Sequence, residues 1–142
     1  MRNIFDQYNQ PENKLTHSLA SSLYEDKKLL DSFLKTFCKN FFKITGNLKI
    51  EQQTVPGQIT RDIDEKQKKG LPDAIIYNEE ECLIIESKVS STLTQDQLNR
   101  HEKTLRRRGF NKIKGIGIVV DILPNVKLEN WKQLTWNSVY SW

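Results

Sequence analysis

Leu71-Pro72-Asp73-Ala74-Ile75-Ile76-Tyr77 and Cys82-Leu83-Ile84-Ile85-Glu86-Ser87-Lys88 are two short apolar runs separated by Asn78-Glu79-Glu80-Glu81. Each run has the length and branched-residue content of a strand, and the polar spacer reads as a tight turn. The stretch therefore predicts a β-hairpin with two acids and a lysine at its strand ends. A two-residue period puts Glu86 and Lys88 on one face, and Asp73 on the paired strand can reach it. An acid beside a bulky apolar strand is costly unless it is solvated or paired with a cation. Two converging carboxylates raise each other's pKa unless a cation sits between them.

Mg²⁺ would resolve that repulsion. It takes oxygen ligands, keeps several waters, and commonly uses one or two carboxylates plus substrate phosphate. Such an ion activates a bound water and stabilises charge in a phosphorane-like transition state. Lys88 could orient or deprotonate the attacking water, or stabilise developing negative charge, and the residues alone leave these roles open. Glu-x-Lys by itself is a common tripeptide that reads as a surface ion pair. Its position after Leu83-Ile84-Ile85, one hairpin beyond Pro72-Asp73, favours the functional reading.

The rest of the chain gives the hairpin a setting. With 142 residues the chain is expected to be one domain, 1–142, with a core over about 11–122 and an aromatic C-terminal tail over 129–142. Hydrophobic residues make up 37% and charged residues 28%, as in a soluble globular protein. No apolar run approaches the roughly 18 residues that would span a bilayer. Met1-Arg2-Asn3-Ile4-Phe5-Asp6 lacks the apolar core of a signal peptide, so a cytoplasmic location with no membrane partner is expected. Cys38 and Cys82 lie in apolar stretches without metal-ligand spacing and read as reduced core residues.

Pro11 in a first turn, then Leu15, Leu19 and Leu23 on one face, predict a helix. Leu29, Leu30, Phe33, Leu34, Phe37, Cys38, Phe41 and Phe42 continue the period. The helix is expected from about 11 to 44, with a break near Glu25-Asp26 and an end at Thr45-Gly46-Asn47. Leu48 to Val55 reads as a half-exposed strand, and Gln58 to Gly70 as a polar loop. After the hairpin comes a helix over 94–108 ended by Gly109. Lys114 to Ile122 follows as the most apolar strand, expected at the centre of the sheet. Trp131 to Trp142 reads as a short helix. Its apolar pattern runs to the last residue, so further sequence is expected beyond it. The order is helix, three strands, helix, strand, which predicts an α/β fold with a mixed central sheet.

That order, with Pro72-Asp73 and Glu86-Ser87-Lys88, resembles the PD-(D/E)XK nuclease superfamily and its restriction-endonuclease-like αβββαβ core. The resemblance covers roughly residues 11–122. It implies Mg²⁺-dependent cleavage of phosphodiester bonds, with Mn²⁺ as an alternative ion. Asp73 and Glu86 would be metal ligands, Ser87 would offer its backbone carbonyl, and Lys88 would be the catalytic lysine. Many members place a glutamate of the first helix near the metal. Glu12 is the candidate, with Glu25 a weaker one; the bland reading of Glu12 is an acid favouring the helix dipole. Branches resembling RecB add Gln-x-x-x-Tyr on the next helix. Here Gln97 stands at its start and His101 replaces the tyrosine. Gln97 could instead complete a capping box with Thr94. Gln95 is the weaker glutamine, and His17 lies near Glu12.

The net charge is +4, and cations cluster where a polyanion would need them. Arg100, Arg106, Arg107 and Arg108 are the expected backbone contacts, with Lys69, Arg61, Lys66 and Lys68 on the loop before Pro72. Lys35, Lys39 and Lys43 would form one helical stripe. The bland reading of each cluster is a solvated face. The resemblance thus implies DNA as the partner, with RNA left open, and allows a homodimer. The expected function is a DNA endonuclease in restriction or phage defence. The alternatives are a nucleic-acid-binding module that has lost catalysis, or a structural domain of a larger nuclease.

Overall fold

The computed structural model describes residues 11–52, 72–122 and 129–142. Helix α1 spans Pro11–Glu25. Asp26 then interrupts it: the residue is extended, and its carboxylate accepts from the Lys28 and Leu29 amides to start α2, Lys27–Phe33. The expected break is therefore present, but the expected length is not. From Leu34 to Cys38 the helix widens into a π turn and ends, well short of Thr45. Phe37 and Cys38 are buried together there, and Lys43 lies in irregular chain beyond the helix. Lys35, Lys39 and Lys43 consequently do not form the regular helical stripe that their spacing suggests.

The remaining elements are β1 (Lys49–Gln52), β2 (Ala74–Tyr77), β3 (Glu81–Ser87), α3 (Gln95–Arg107), β4 (Lys112–Val119), β5 (Trp131–Thr135) and α4 (Trp136–Ser141). The strands form one mixed sheet in sequence order. β1–β2 and β2–β3 are antiparallel, whereas β3–β4 and β4–β5 are parallel. The αβββαβ order expected from the sequence is present, with a fifth strand and a last helix added. β3 occupies the middle of the sheet and β4 lies beside it, which corrects the central position expected for the more apolar strand. β3 has helices over both faces and strands on both edges, which is why it reads as an unbroken apolar run.

Each face of the sheet carries its own core. Ala74, Ile76, Leu83, Ile85, Ile116 and Ile118 pack against Leu19, Leu23, Leu30 and Phe33 of α1 and α2. Ile75, Cys82, Ile84, Ile113 and Val119 pack against Leu98 and Leu105 of α3. Both cysteines are buried and unbonded, and burial pushes the Cys38 thiol up to about 11 and the Cys82 thiol to about 12. Both behave as the core residues expected.

The helix expected over the tail begins later than its apolar pattern suggests. Trp131 and Leu134 lie three apart and would share a helical face. Here they point to opposite faces of the sheet, Trp131 toward α3 and Leu134 toward α1 and α2. Burial on both sides selects a strand. Gly115 makes room for it, because a Cβ there would sit 2.3 Å from the Trp131 ring. Trp131 is then fixed from above by a 2.9 Å hydrogen bond from its Nε1 to Glu102 on α3.

Candidate active site

The hairpin register builds the site. Ala74 pairs with Ile85, so the next rung brings Asp73 opposite Glu86. Two side chains close that rung where the strand ladder stops. Ser87 N–H donates to Asp73 Oδ2 at 2.8 Å, and Asp73 N–H donates to Glu86 Oε2 at 3.3 Å. Pro72 restricts the approach to this rung to extended backbone. The expectation that Asp73, Glu86 and Lys88 share one end of the hairpin holds in the geometry.

Glu86 faces α3, on the same side of β3 as Cys82 and Ile84, and is 2% exposed. Its two oxygens are held separately. Oε1 accepts from Gln97 Nε2 and lies 3.2 Å from Lys88 Nζ. Oε2 lies 3.2 Å from His101 Nε2. Gln97, Lys88, His101 and the Asp73 amide thus surround the carboxylate. Gln97 therefore does both things the sequence allows. Its amide N–H bonds Thr94 Oγ1 at 3.3 Å, which caps α3, while its side chain turns inward to Glu86 instead of closing the capping box.

Burial, reinforced by the neighbouring Glu86 charge, raises the Asp73 carboxyl to about 7 against the pull of the Ser87 amide and Lys88. Burial acts on Glu86 in the same direction, but His101 and Lys88 outweigh it and keep that carboxyl below its ordinary range. The pair thus separates into one acid that tends to keep a proton and one that stays ionised, as expected of two adjacent carboxylates withdrawn from water. Among the described residues no three His, Cys, Asp or Glu side chains form a ready-made metal cage. The donor set is two carboxylates of hard oxygen, which fits a divalent ion that prefers oxygen ligands.

Glu12 sits at the start of α1 on the other side of β3. Its Oε1 accepts from Val89 N–H at 2.8 Å and Ser90 N–H at 3.0 Å, in the turn that follows Lys88. These amides and Lys88 hold its carboxyl below the usual range although partial burial acts the other way. Ser87 points to the same side, where its hydroxyl lies 2.6 Å from Thr16 Oγ1. Thr16 is a contact that the sequence reading missed. Its position one turn after Glu12, on the face that carries that residue, was the available signal.

Other candidates fall elsewhere. His17 Nδ1 lies 2.6 Å from Gln52 Oε1 and ties α1 to β1. Gln95 donates to Asn99 on its own helix. Glu25 ends α1, nearly the whole helix away from Glu12. Arg100 is exposed one turn beyond Gln97. Arg106, Arg107 and Arg108 are not brought to the carboxylates. They end α3, about 15 Å along its axis from Gln97. Arg108 pairs there with Glu51 at 2.9 Å, and Arg106 reaches the Asn111 carbonyl. A crossover between parallel strands forces this, because its helix must run back along the sheet. Arg61, Lys66, Lys68 and Lys69 lie outside the described residues. A cleft of about 570 Å³ opens at the same far end, between Gly46, Tyr77, Glu80, Arg108 and Phe110.

No curated protein matches the chain. Among solved structures, the small subunit of the heterodimeric restriction endonuclease R.BspD6I aligns with 95% of this chain and 72% of its own, at 15% identity and a TM-score of 0.37. A likeness that low carries no argument about function. The family model of the PD-(D/E)XK nuclease superfamily matches residues 2–142, a span that takes in the αβββαβ order and the Pro72-Asp73, Glu86-Ser87-Lys88 hairpin, and the chain belongs to that superfamily.

Proposed function

We propose that this protein is a Mg²⁺-dependent nuclease that hydrolyses phosphodiester bonds, with DNA as its substrate and endonucleolytic cutting as its mode. The observation that carries the reading is the Asp73–Glu86 pair. Two carboxylates share one rung, Glu86 buried and Asp73 half-buried, with Lys88 3.2 Å from Glu86. A structural role would be served better by an apolar pair, because buried charge is costly to assemble. Asp73 and Glu86 would hold the ion together with the Ser87 carbonyl, and Mn²⁺ has the same oxygen preference. The bound ion would supply an activated water and charge neutralisation at the phosphate.

The other parts are supplied by the chain. Gln97 and His101 keep Glu86 aimed toward Asp73. Lys88 has a side chain that is 16% exposed, so its ammonium reaches from the buried pair to the mouth of the site. There it can stabilise the pentacovalent phosphate as the ammonium or, as the neutral amine, take a proton from the attacking water. Arg100 and Lys103, exposed along α3, lie where they could neutralise phosphates beside the site without reading sequence.

The test is cleavage of covalently closed circular and linear DNA with and without Mg²⁺. Closed circles should be nicked or opened only when the ion is present. Asp73→Ala and Lys88→Ala should each reduce the rate by about 10³-fold while the far-ultraviolet dichroism stays unchanged. Full activity in both folded variants would sink the reading.

A further inference from the structure

Lys88 is placed by the backbone on either side of it, and the first turn of α1 grips both sides. Before Lys88, the Ser87 and Thr16 hydroxyls lie 2.6 Å apart. Both are also within reach of the Glu12 carbonyl, at 3.3 Å from Ser87 and 3.0 Å from Thr16. Two hydroxyl protons serve these three contacts, so the cluster is closed and buried. After Lys88, one oxygen of the Glu12 carboxylate takes the Val89 amide, the Ser90 amide and, at 3.4 Å, the Ser90 hydroxyl. Lys88 itself bonds the sheet through its amide, 2.9 Å from the Ile118 carbonyl. Beyond that bond β3 has ended, and a carboxylate takes over where the ladder stops.

We propose that Glu12 is a positioning residue for Lys88, acting through the Val89–Ser90 turn. The proposal rests on the nuclease reading and deepens it. One oxygen, Oε1, accepts all three donors, so it ties the start of α1 to the turn after Lys88. The geometry that Glu12 protects is worth protecting, because a catalytic group displaced by about 1 Å can cost on the order of 10²-fold in rate. The carboxylate also links two elements far apart in sequence, so the helix packed on one face of β3 sets the place of a side chain on the other.

Glu12→Ala and Glu12→Gln separate this role from ligation, because glutamine keeps an acceptor oxygen and loses the charge. Exchange of the Val89 and Ser90 amide protons, followed by nuclear magnetic resonance without metal, should be about tenfold faster in Glu12→Ala and near wild type in Glu12→Gln. Mg²⁺ affinity measured by calorimetry should stay within about twofold of wild type in both, whereas a lost ligand would cost tenfold or more. Turnover should fall about 10²-fold in Glu12→Ala without a change in KM, and Glu12→Gln should restore most of it. Unchanged exchange in Glu12→Ala, or a tenfold weaker Mg²⁺ affinity in Glu12→Gln, would overturn the proposal. A wild-type protein that neither binds Mg²⁺ nor cleaves would overturn the nuclease reading instead, and the exchange measurement would still decide the clamp.

Discussion

Helix α3 has an ion pair at each end, and the two are chemically alike but physically opposite. Near its start, Lys88 meets Glu86 with side-chain exposures of 16% and 3%. At its finish, Arg108 meets Glu51 with exposures of 40% and 48%. The exposed pair is solvated whether or not it forms, so it contributes at most about 1 kcal/mol. The buried pair has lost its water, and each group depends on the partners around it. Glu86 depends on Lys88, Gln97, His101 and the Asp73 amide, which replace its hydration there. The chain accepts an energetic cost at one end of the helix that it avoids at the other, and the proposed active site rests on that asymmetry.

Replacing the cation at each end should break the comparison most sharply. Lys88→Met keeps the stem and removes the charge, and it should lower cleavage by about 10³-fold, equivalent to roughly 4 kcal/mol of transition-state stabilisation. Arg108→Met, the same change at the far end, should alter cleavage by less than about twofold and stability by less than about 1 kcal/mol. Rates measured on one DNA substrate at fixed Mg²⁺ check both. A loss in Arg108→Met comparable with that in Lys88→Met would place substrate contacts at the far end and erase the distinction.

The two ends were not equally legible in the sequence. The site end could be read because one hairpin carries it: strand period and a short turn are enough to bring Asp73, Glu86 and Lys88 together. Gln97 was readable as well, since Thr94 marks where α3 starts. The far end depended on the direction of α3, which a list of basic residues does not contain. Arg106 to Arg108 were grouped with the site by proximity in sequence, and the parallel crossover carried them away from it. His101 was picked out by its place four residues after Gln97, but its contact with Glu86 needed three dimensions, because the spacing does not say which strand residue the helix face meets. β5 was misread because Trp131 and Leu134 have helical spacing, and only the presence of two covered faces makes them a strand.

Glycines sharpen the same contrast between packed interior and open end. Gly115 faces α3 in the middle of the sheet, where a Cβ would lie 2.3 to 2.5 Å from three atoms of the Trp131 ring. The ring is also bonded to Glu102 and cannot swing aside cheaply. Gly115→Ala should therefore destabilise the protein by about 2–3 kcal/mol. Gly46, beside the far cleft, has open space around it but a φ of 94°. Gly46→Ala pays only for the left-handed backbone, about 1 kcal/mol. Urea denaturation of the two variants gives both numbers. Equal costs would mean that Trp131 moves more freely than its hydrogen bond implies.

The smallest effect concerns the burial of charge itself. The Asp73 carboxyl is raised from 3.8 to about 7 by burial and by Glu86. Between those two values the folded protein holds a proton that the unfolded chain has released. Stability then falls as pH rises through that window, because the native state binds more protons than the unfolded state. Glu86 works in the opposite sense but in a more acid range, since its carboxyl lies below its ordinary value of 4.5. Asp73→Asn removes the first titration and keeps the shape of the side chain. In the absence of metal it should be more stable than wild type at pH 8 by about 1–2 kcal/mol, with the gap closing toward pH 4. Added Mg²⁺ should stabilise the wild type at pH 8 and leave Asp73→Asn nearly unchanged, since an ion relieves the same repulsion that the amide removes. Denaturation curves at pH 4 and 8, each with and without Mg²⁺, measure this directly. A wild-type stability flat across that range would mean that Asp73 is as well solvated as Glu51, and the two ends of α3 would then differ in sequence alone.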